Sequence, residues 1–280
     1  MAYAAELDGE SWGEKVGVMI VLKAVVLGIV EGITEFLPIS STGHLIVASS
    51  LVNYPETSRA TFEIFIQLGA ILAVVWLYLA PLLDLVRRAP TDGEARGLLG
   101  KVLLAFLPAA GVGFLFHHAI EEHLFSTTVV AATLIIGGIL ILVLEQRTWR
   151  FNAQAIEETG WLQAAWVGVS QVLSLIPGVS RAGATIIGGM LAGMNRPAST
   201  QFSFYLSIPT LFAASLYSLF KARHELSASD ALPLAVGFIT SFISALIVVR
   251  AFIGYVRGHD FKGFGYYRIA AGVLILLFFR

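Results

Sequence analysis

An all-α integral membrane protein is the fold class this sequence predicts, and three observations predict it. Of 280 residues, 57% are hydrophobic and 13% charged, where a soluble domain carries about 25% charged residues. Apolar runs of spanning length, roughly 17–25 residues, recur at 62–80, 99–117, 127–144, 202–220, 232–253 and 265–279. The chain also repeats itself at a spacing of 140 residues, half its length. No stretch is polar enough for a separate soluble catalytic domain, so a single membrane domain over 1–280 is expected. The net charge of −1 speaks against nucleic acid as a partner, and the absence of cysteine excludes disulfides, thiol nucleophiles and thiolate metal sites. The segment from Met1 to Lys15 is acidic rather than basic, so no cleavable signal peptide is expected.

The repeat is clearest around polar positions. Ala24, Gly28, Ser40, Gly43, Ile46, Leu51 and Phe62 recur as Ala164, Gly168, Ser180, Gly183, Ile186, Leu191 and Phe202; Glu31 is matched by Gln171 and Ser41 by Arg181. The expected halves are about 16–145 and 156–280. Two stretches, 16–52 and 161–194, each read as a short apolar helix, a Pro/Gly/Ser interruption and a second short helix. Interrupted half-helices at matching positions of two repeats point to a membrane-embedded site, so both are expected to be re-entrant helix-loop-helix hairpins beside six transmembrane helices.

Each half then holds one hairpin and three spans, which requires the halves to be inverted relative to each other. Loop charges agree. Arg87, Arg88, Arg96 and Lys101 place 81–101 inside, 118–126 has no lysine or arginine, and Arg147, Arg150, Arg257 and Lys262 place 145–160 and 254–264 inside. Both termini then lie outside, hairpin one enters from outside and hairpin two from inside; Lys221 and Arg223 in 221–231 dissent. Trp12, Trp76, Trp149, Trp161 and Tyr266-Tyr267 fall near span ends, as interfacial anchors do. Gly137-Gly138, Gly188-Gly189 and Gly193 read as close helix packing.

The chemistry concentrates in the hairpins. Glu31 and Glu35 stand four apart, on one face of a helix that Leu37-Pro38 ends. A charge at membrane depth costs about 2.5–3.5 kcal/mol on insertion scales and marks a functional site by default. Paired carboxylates at the rim of a polar loop suit a hard divalent cation, Mg²⁺ or Ca²⁺, with Glu31 and Glu35 as metal ligands. Ser40, Ser41, Thr42 and Gly43 open a second half-helix over 43–52. Hydroxyls, open backbone N–H groups, a positive helix end and a glycine permitting close approach make an anion site. Ser180, Arg181 and Gly183 open helix 183–193 in the same way, and Arg181 adds a planar fork suited to phosphate oxygens. If the loops meet at the midplane, both helix N-termini serve one polyanion. His44, in the first turn of its half-helix, suits proton transfer or phosphoryl acceptance. Glu63 and Gln67, matched by Ser203 and Ser207, and Gln171 are candidate supporting polar residues. His117, His118 and His123 with Glu121 and Glu122 read as a solvated outer loop.

The run from Glu31 through Gly32-Ile33-Thr34-Glu35-Phe36-Leu37-Pro38-Ile39-Ser40-Ser41-Thr42-Gly43 to His44 resembles the signature of the undecaprenyl-diphosphatase, or bacitracin-resistance protein, family. Pro177-Gly178-Val179-Ser180-Arg181 resembles its second signature, and Phe62-Glu63 with Gln67-Leu68-Gly69 also matches. The resemblance covers essentially the whole chain. It implies a bacterial inner-membrane enzyme that removes the terminal phosphate of a C55 polyprenyl diphosphate at the outer, periplasmic face. That reaction regenerates the carrier for peptidoglycan synthesis and confers bacitracin resistance. It implies a divalent cation, Glu31 and Glu35 as metal-linked acids, and Ser41, His44 and Arg181 as phosphate-handling residues. The family usually has serine where Ala182 stands. The partners expected are the polyprenyl diphosphate and membrane lipid, with a homodimer left open. The residues leave the nucleophile open among Ser41, His44 and metal-bound water, with His44 otherwise the acid/base. A flippase or transporter is the rival reading, because inverted repeats with broken helices are also a transport architecture.

Overall fold

A computed structural model describes residues 2–222 and 230–279, with side chains from Gly17 onward except at 57, 58, 117, 121 and 222. Arg223 and His224, and the side chains of Trp12, His117 and Glu121, therefore lie outside the described residues. Apart from one isolated bridge, Ala153 to Met194, the regular structure described is helical. The helices are α1 (Ala2–Thr34), α2 (Ser41–Leu51), α3 (Glu56–Leu77), α4 (Leu79–Arg88), α5 (Gly93–Leu124) and α6 (Thr127–Leu144), then α7 (Trp161–Val172), α8 (Arg181–Leu191), α9 (Arg196–Ala222), α10 (Ala231–Tyr255) and α11 (Lys262–Phe278). Among the described residues six helices are long and apolar enough to cross a membrane: α1 over Gly17–Thr34, α3, α5, α6, α9 and α10. The expected span 265–279 falls in the shorter α11 and is not one of them, whereas α1, expected as half of a hairpin, is. The chain is an all-α, multi-pass membrane protein.

The element boundaries correct several expectations. Segment 81–101 is not a plain loop: it holds the end of α4 and the start of α5, whose N-cap Asp92 accepts from the Glu94 N–H. Segment 118–126 is mostly the last turns of α5, not a loop, because nothing helix-breaking intervenes before Ser126 caps α6. The half-helices begin two residues earlier than expected, at Ser41 and Arg181, which puts both residues in a first helical turn.

Helix pairings exchange between the two halves. α1 lies along α10 as α7 lies along α5, and α3 packs on α9 and α6 on α11. Glycines permit the closest approaches: a β-carbon at Gly28 would meet the Gly237 carbonyl at 2.5 Å, and one at the repeat-related Gly168 would meet the Ala105 carbonyl at 2.7 Å. The hairpin mouths are tied alike. Lys23 donates to the Asn53 carbonyl (2.7 Å) and Gln163, 140 residues on, donates to the Ala192 carbonyl (3.0 Å). From Lys23 to Thr34 the helix rises about 17 Å at 1.5 Å per residue, so the first tip stops near the middle of a hydrocarbon core about 30 Å thick. α1 continues beyond that mouth toward its N-terminus, so it is longer than the short half-helix expected from the sequence.

One apolar cluster lies directly against both tips. It joins Phe36 from the first loop to Ala182 and Ile186 of α8, Phe204 of α9 and Phe252 of α10, with Phe36 and Phe204 edge-on at 5.7 Å. Ala182 is fully buried in this cluster. The alanine, standing where the resemblance leads one to expect serine, therefore falls on a packing position.

Candidate active site

Both hairpin tips bend through the same strained residue. Ser40 has φ 71° and Ser180 φ 75°, a region that side chains rarely enter. Such strain persists where the surroundings over-determine it, and it clusters at functional sites. The turn aims α2 and α8 at one another, so their first residues, Ser41 and Arg181, approach a common point.

That point is the Glu35 carboxylate. Ser41 donates its hydroxyl to Glu35 Oε2 at 2.5 Å, and Arg181 Nη2 donates to Glu35 Oε1 at 3.4 Å. One carboxylate thus joins residues far apart in sequence, and Arg181 is held by more than charge. Its Nη1 donates to the Ser203 carbonyl (3.1 Å) and hydroxyl (3.3 Å), and its guanidinium lies over the Phe36 ring, 5.5 Å from the centroid. Thr185, bonded back to the Arg181 carbonyl, also meets the Ser203 hydroxyl at 2.6 Å. Ser203 occupies the repeat position of Glu63, so the second half uses that position to orient the arginine.

Glu31 is 1% exposed, and its Oε2 has no protein hydrogen-bond partner; the buried Arg181 Nε is also unpartnered. Orphaned buried atoms of opposite character in one site call for a ligand on each. Glu35, Glu63 and Arg181 all lie close enough for their charges to act on Glu31. No group of three or more acidic, histidine or cysteine side chains could hold a metal among the described residues. Mg²⁺, however, is commonly held by one or two carboxylates together with substrate phosphate, so a two-glutamate set fits such an ion.

The helix ends differ. Ser180 accepts from the Gly183 N–H (3.1 Å) and donates to the Leu37 carbonyl of the other loop (3.3 Å), whereas Ser40 makes no side-chain cap on α2. The first N–H groups of α2, at Ser41, Thr42 and Gly43, are therefore without that cap, and Gly43 is buried beside them.

His44 points elsewhere. Its Nδ1 is 2.7 Å from the Ser40 carbonyl and its Nε2 is 2.6 Å from the Tyr267 hydroxyl, with the rings stacked at 5.5 Å. A carbonyl only accepts, so Nδ1 carries a proton and neutral His44 accepts from Tyr267 through Nε2. Tyr267 is thus a partner of His44. Glu63 pairs with Arg59 at 2.7 Å, and Gln67 accepts from Ser215 at 3.2 Å. Gln171 is not brought to the Glu35–Arg181 contact: it packs fully buried between the Ala105 carbonyl (3.5 Å) and Thr210 (3.3 Å).

Sequence reasoning passed over Arg268 and Thr185, and named Ser203 only as the repeat match of Glu63. Arg268 carried a signal, as a lone arginine inside the apolar run of α11. The glycine at 137 was read as helix packing, but it makes room for that arginine. A β-carbon there would lie 2.3 Å from Arg268 Nη2.

Against the first tip runs a groove of about 420 Å³, lined among others by Ile33, Leu37, Ile39, Phe264 and Tyr267. It is apolar and reaches the His44–Tyr267 pair.

The model of the family described as "Bacitracin resistance protein BacA" matches residues 24–274 of this chain. The chain belongs to that family. Curated relatives of this BacA chain agree over nearly full length. An undecaprenyl-diphosphatase of Dechloromonas aromatica is 48% identical over 258 residues, covering 92% of this chain and 94% of the relative. "Undecaprenyl-diphosphatase 2" of Rhodospirillum rubrum is 49% identical over 259 residues, covering 92% and 94%. An undecaprenyl-diphosphatase of Methylobacillus flagellatus is 47% identical over 268 residues, covering 94% and 99%.

Proposed function

We propose that this BacA-family chain hydrolyses undecaprenyl diphosphate to the monophosphate and inorganic phosphate in the bacterial cytoplasmic membrane, recycling the carrier for peptidoglycan synthesis. The observation that carries the reading is the Glu35 carboxylate shared between the Ser41 hydroxyl and the Arg181 guanidinium. Around it lie what a phosphoryl transfer needs: a base on a hydroxyl nucleophile, a cation for the in-flight charge, and open N–H groups at a helix start. The substrate is taken from the names of the relatives. The transport reading receives no support from the relatives.

Geometry favours Ser41 over His44 as nucleophile, since Ser41 already donates to a carboxylate while His44 is bonded on both ring nitrogens. As Ser41 Oγ attacks the terminal phosphorus, its proton passes to Glu35 Oε2. The phosphorus–oxygen bond to the remaining phosphate breaks, and the lipid monophosphate leaves with that electron pair. Water then displaces phosphate from the serine, and Glu35 returns the proton. Arg181 and the uncapped N–H groups at Ser41, Thr42 and Gly43 stabilise the charge on the transferring group. Glu31 and Glu35 would hold the divalent cation, Mg²⁺ or Ca²⁺, Glu31 through the Oε2 that no protein donor reaches. When bound, it neutralises charge on the diphosphate oxygens.

The groove beside the first tip suits the polyprenyl chain. The head approaches from the hairpin mouth, where Lys23 bonds to the Asn53 carbonyl, and that mouth faces the outer side under the loop-charge topology. The test is phosphate release in detergent, which a hydrolase performs without a sealed membrane and a pure flippase does not. Excess chelator is expected to abolish release, and restored Mg²⁺ or Ca²⁺ to recover it. Full release in chelator would remove the cation, and no release under any ion would end the hydrolase reading.

A further inference from the structure

We infer that Arg268 is a positioning residue for the proposed hydrolysis: it sets the register between the two hairpin tips and thereby places Arg181 against Glu35. The inference rests on that reaction for its kinetic consequences, but its geometry stands alone.

Each tip is non-helical backbone in a membrane-spanning protein, and such backbone is tolerated at depth only where its polar groups are satisfied. Pro38, Gly178 and Val179 leave carbonyls at the tips that no helix can use. Arg268 reaches from α11 and donates Nη1 to Pro38 (3.1 Å) and Val179 (3.0 Å), and Nη2 to Gly178 (3.0 Å) and Thr133 (3.1 Å). Its Nε donates to Leu134 at 3.4 Å. A guanidinium has five N–H donors, and five carbonyls take them.

Two consequences follow from that saturation. No donor remains for substrate, so Arg268 orients other groups instead of touching phosphate. And only a planar fork can do this, because an ammonium offers three donors from one point. A single Nη1 atom spans both tips, so a shift of the fork moves one loop against the other. Since Ser41 and Arg181 follow those loops directly, the shift falls on the Ser41–Glu35–Arg181 contact. The site is shaped for the fork: the side chain is 1% exposed, and Gly137 leaves the space that a methyl would take from Nη2.

The decisive experiment is a double-mutant cycle on phosphate release, with a cross-linking measurement that needs no turnover. Arg268→Lys is expected to lower kcat about 20-fold in the native background, within the roughly 30-fold that loss of Arg181 itself costs, but no more than 3-fold in Arg181→Ala, because the group it positions is already gone. An equal loss in both backgrounds, the mark of general destabilisation, would overturn the inference, as would near-native kcat in Arg268→Lys. If Arg268→Lys does not fold, Gly137→Ala keeps the arginine but crowds it. That variant is expected to lose about 10-fold in kcat with the same non-additivity, and unchanged kcat would overturn the inference. The chain has no cysteine, so Leu37→Cys with Ser180→Cys reports tip apposition by oxidative cross-linking. The yield should fall at least 10-fold with Arg268→Lys or Gly137→Ala. Equal yields would refute the clamp even if the hydrolase reading stands, and a lost yield would uphold it even if that reading fails.

Discussion

At the first hairpin tip, Ser40 leaves the start of α2 without a cap, Ser41 donates to a carboxylate, and of the two glutamates Glu31 stands on the preceding helix and Glu35 just past its end. At the second tip the same backbone bend carries Ser180, which caps its helix and also donates across to the Leu37 carbonyl. There Gln171 and Leu175 stand where the first half has Glu31 and Glu35. A duplicated frame has diverged into a half whose polar atoms are open for chemistry and a half whose polar atoms are tied into structure. The exception is Arg181, the one charged group the second tip brings to the first. The comparison teaches that repeat symmetry locates the site, while departures from symmetry identify its chemistry.

The largest effect should come from removing what only the first half has. Glu35→Gln keeps the shape but loses the base on Ser41 and the charge facing Arg181. We expect phosphate release to fall by about 10²–10⁴-fold, the range that positioned proton-transfer groups supply. Stability should drop as well, because a buried guanidinium loses its counter-charge. Single-turnover kinetics checks the first expectation and thermal unfolding in detergent the second. Near-native turnover would make Glu35 structural and return the nucleophile to solvent water.

Next in size is the one chemical group of the second half. Arg181→Ala should cost at least about 2 kcal/mol of transition-state stabilisation, the scale of one lost oxyanion donor, which is roughly 30-fold in kcat/KM. Arg181→Lys should recover only part of it, since a point charge cannot reach Glu35 and Ser203 together. Full recovery with lysine would reduce the role of Arg181 to net charge.

Much of this is legible in the sequence. Hydrophobic run length gave five of the six spans, in α3, α5, α6, α9 and α10, because a bilayer leaves no other solution for the backbone. The 140-residue spacing and the broken helices located both tips, and an i,i+4 pair of glutamates in an apolar stretch could hardly be solvated surface. What the sequence concealed follows from the same physics. Arg268 donates only to backbone carbonyls, and carbonyls carry no sequence signature, so its partners could not be read from residue types. The bond between Tyr267 and His44 was equally hidden, because a tyrosine near a helix end looks the same in sequence whether its hydroxyl meets headgroups or a side chain. α4 was missed because its short, charged run sits beside basic residues that dominate any loop reading. The boundaries of α2 and α8 slipped because serine and arginine fit a loop as well as a first helical turn.

The smallest effect would sharpen the comparison most directly. Ser40→Ala and Ser180→Ala remove the same hydroxyl from the same strained backbone, so the strain and the unfolded-state terms cancel between them. What differs is the bonding: Ser180 loses a helix cap and a bond to the opposite loop, while Ser40 loses no cap. Ser180→Ala should therefore be less stable than Ser40→Ala by about 1 kcal/mol, the usual worth of an N-cap, seen as a lower Tm at matched detergent and lipid. Activity should order the other way. Ser40→Ala removes a hydroxyl proposed to meet phosphate and should raise KM with little change in Tm, whereas activity lost in Ser180→Ala should follow the loss of folded protein. If the two variants matched in both Tm and KM, the tips would be equivalent, and the division between a chemical half and a structural half would have to be abandoned.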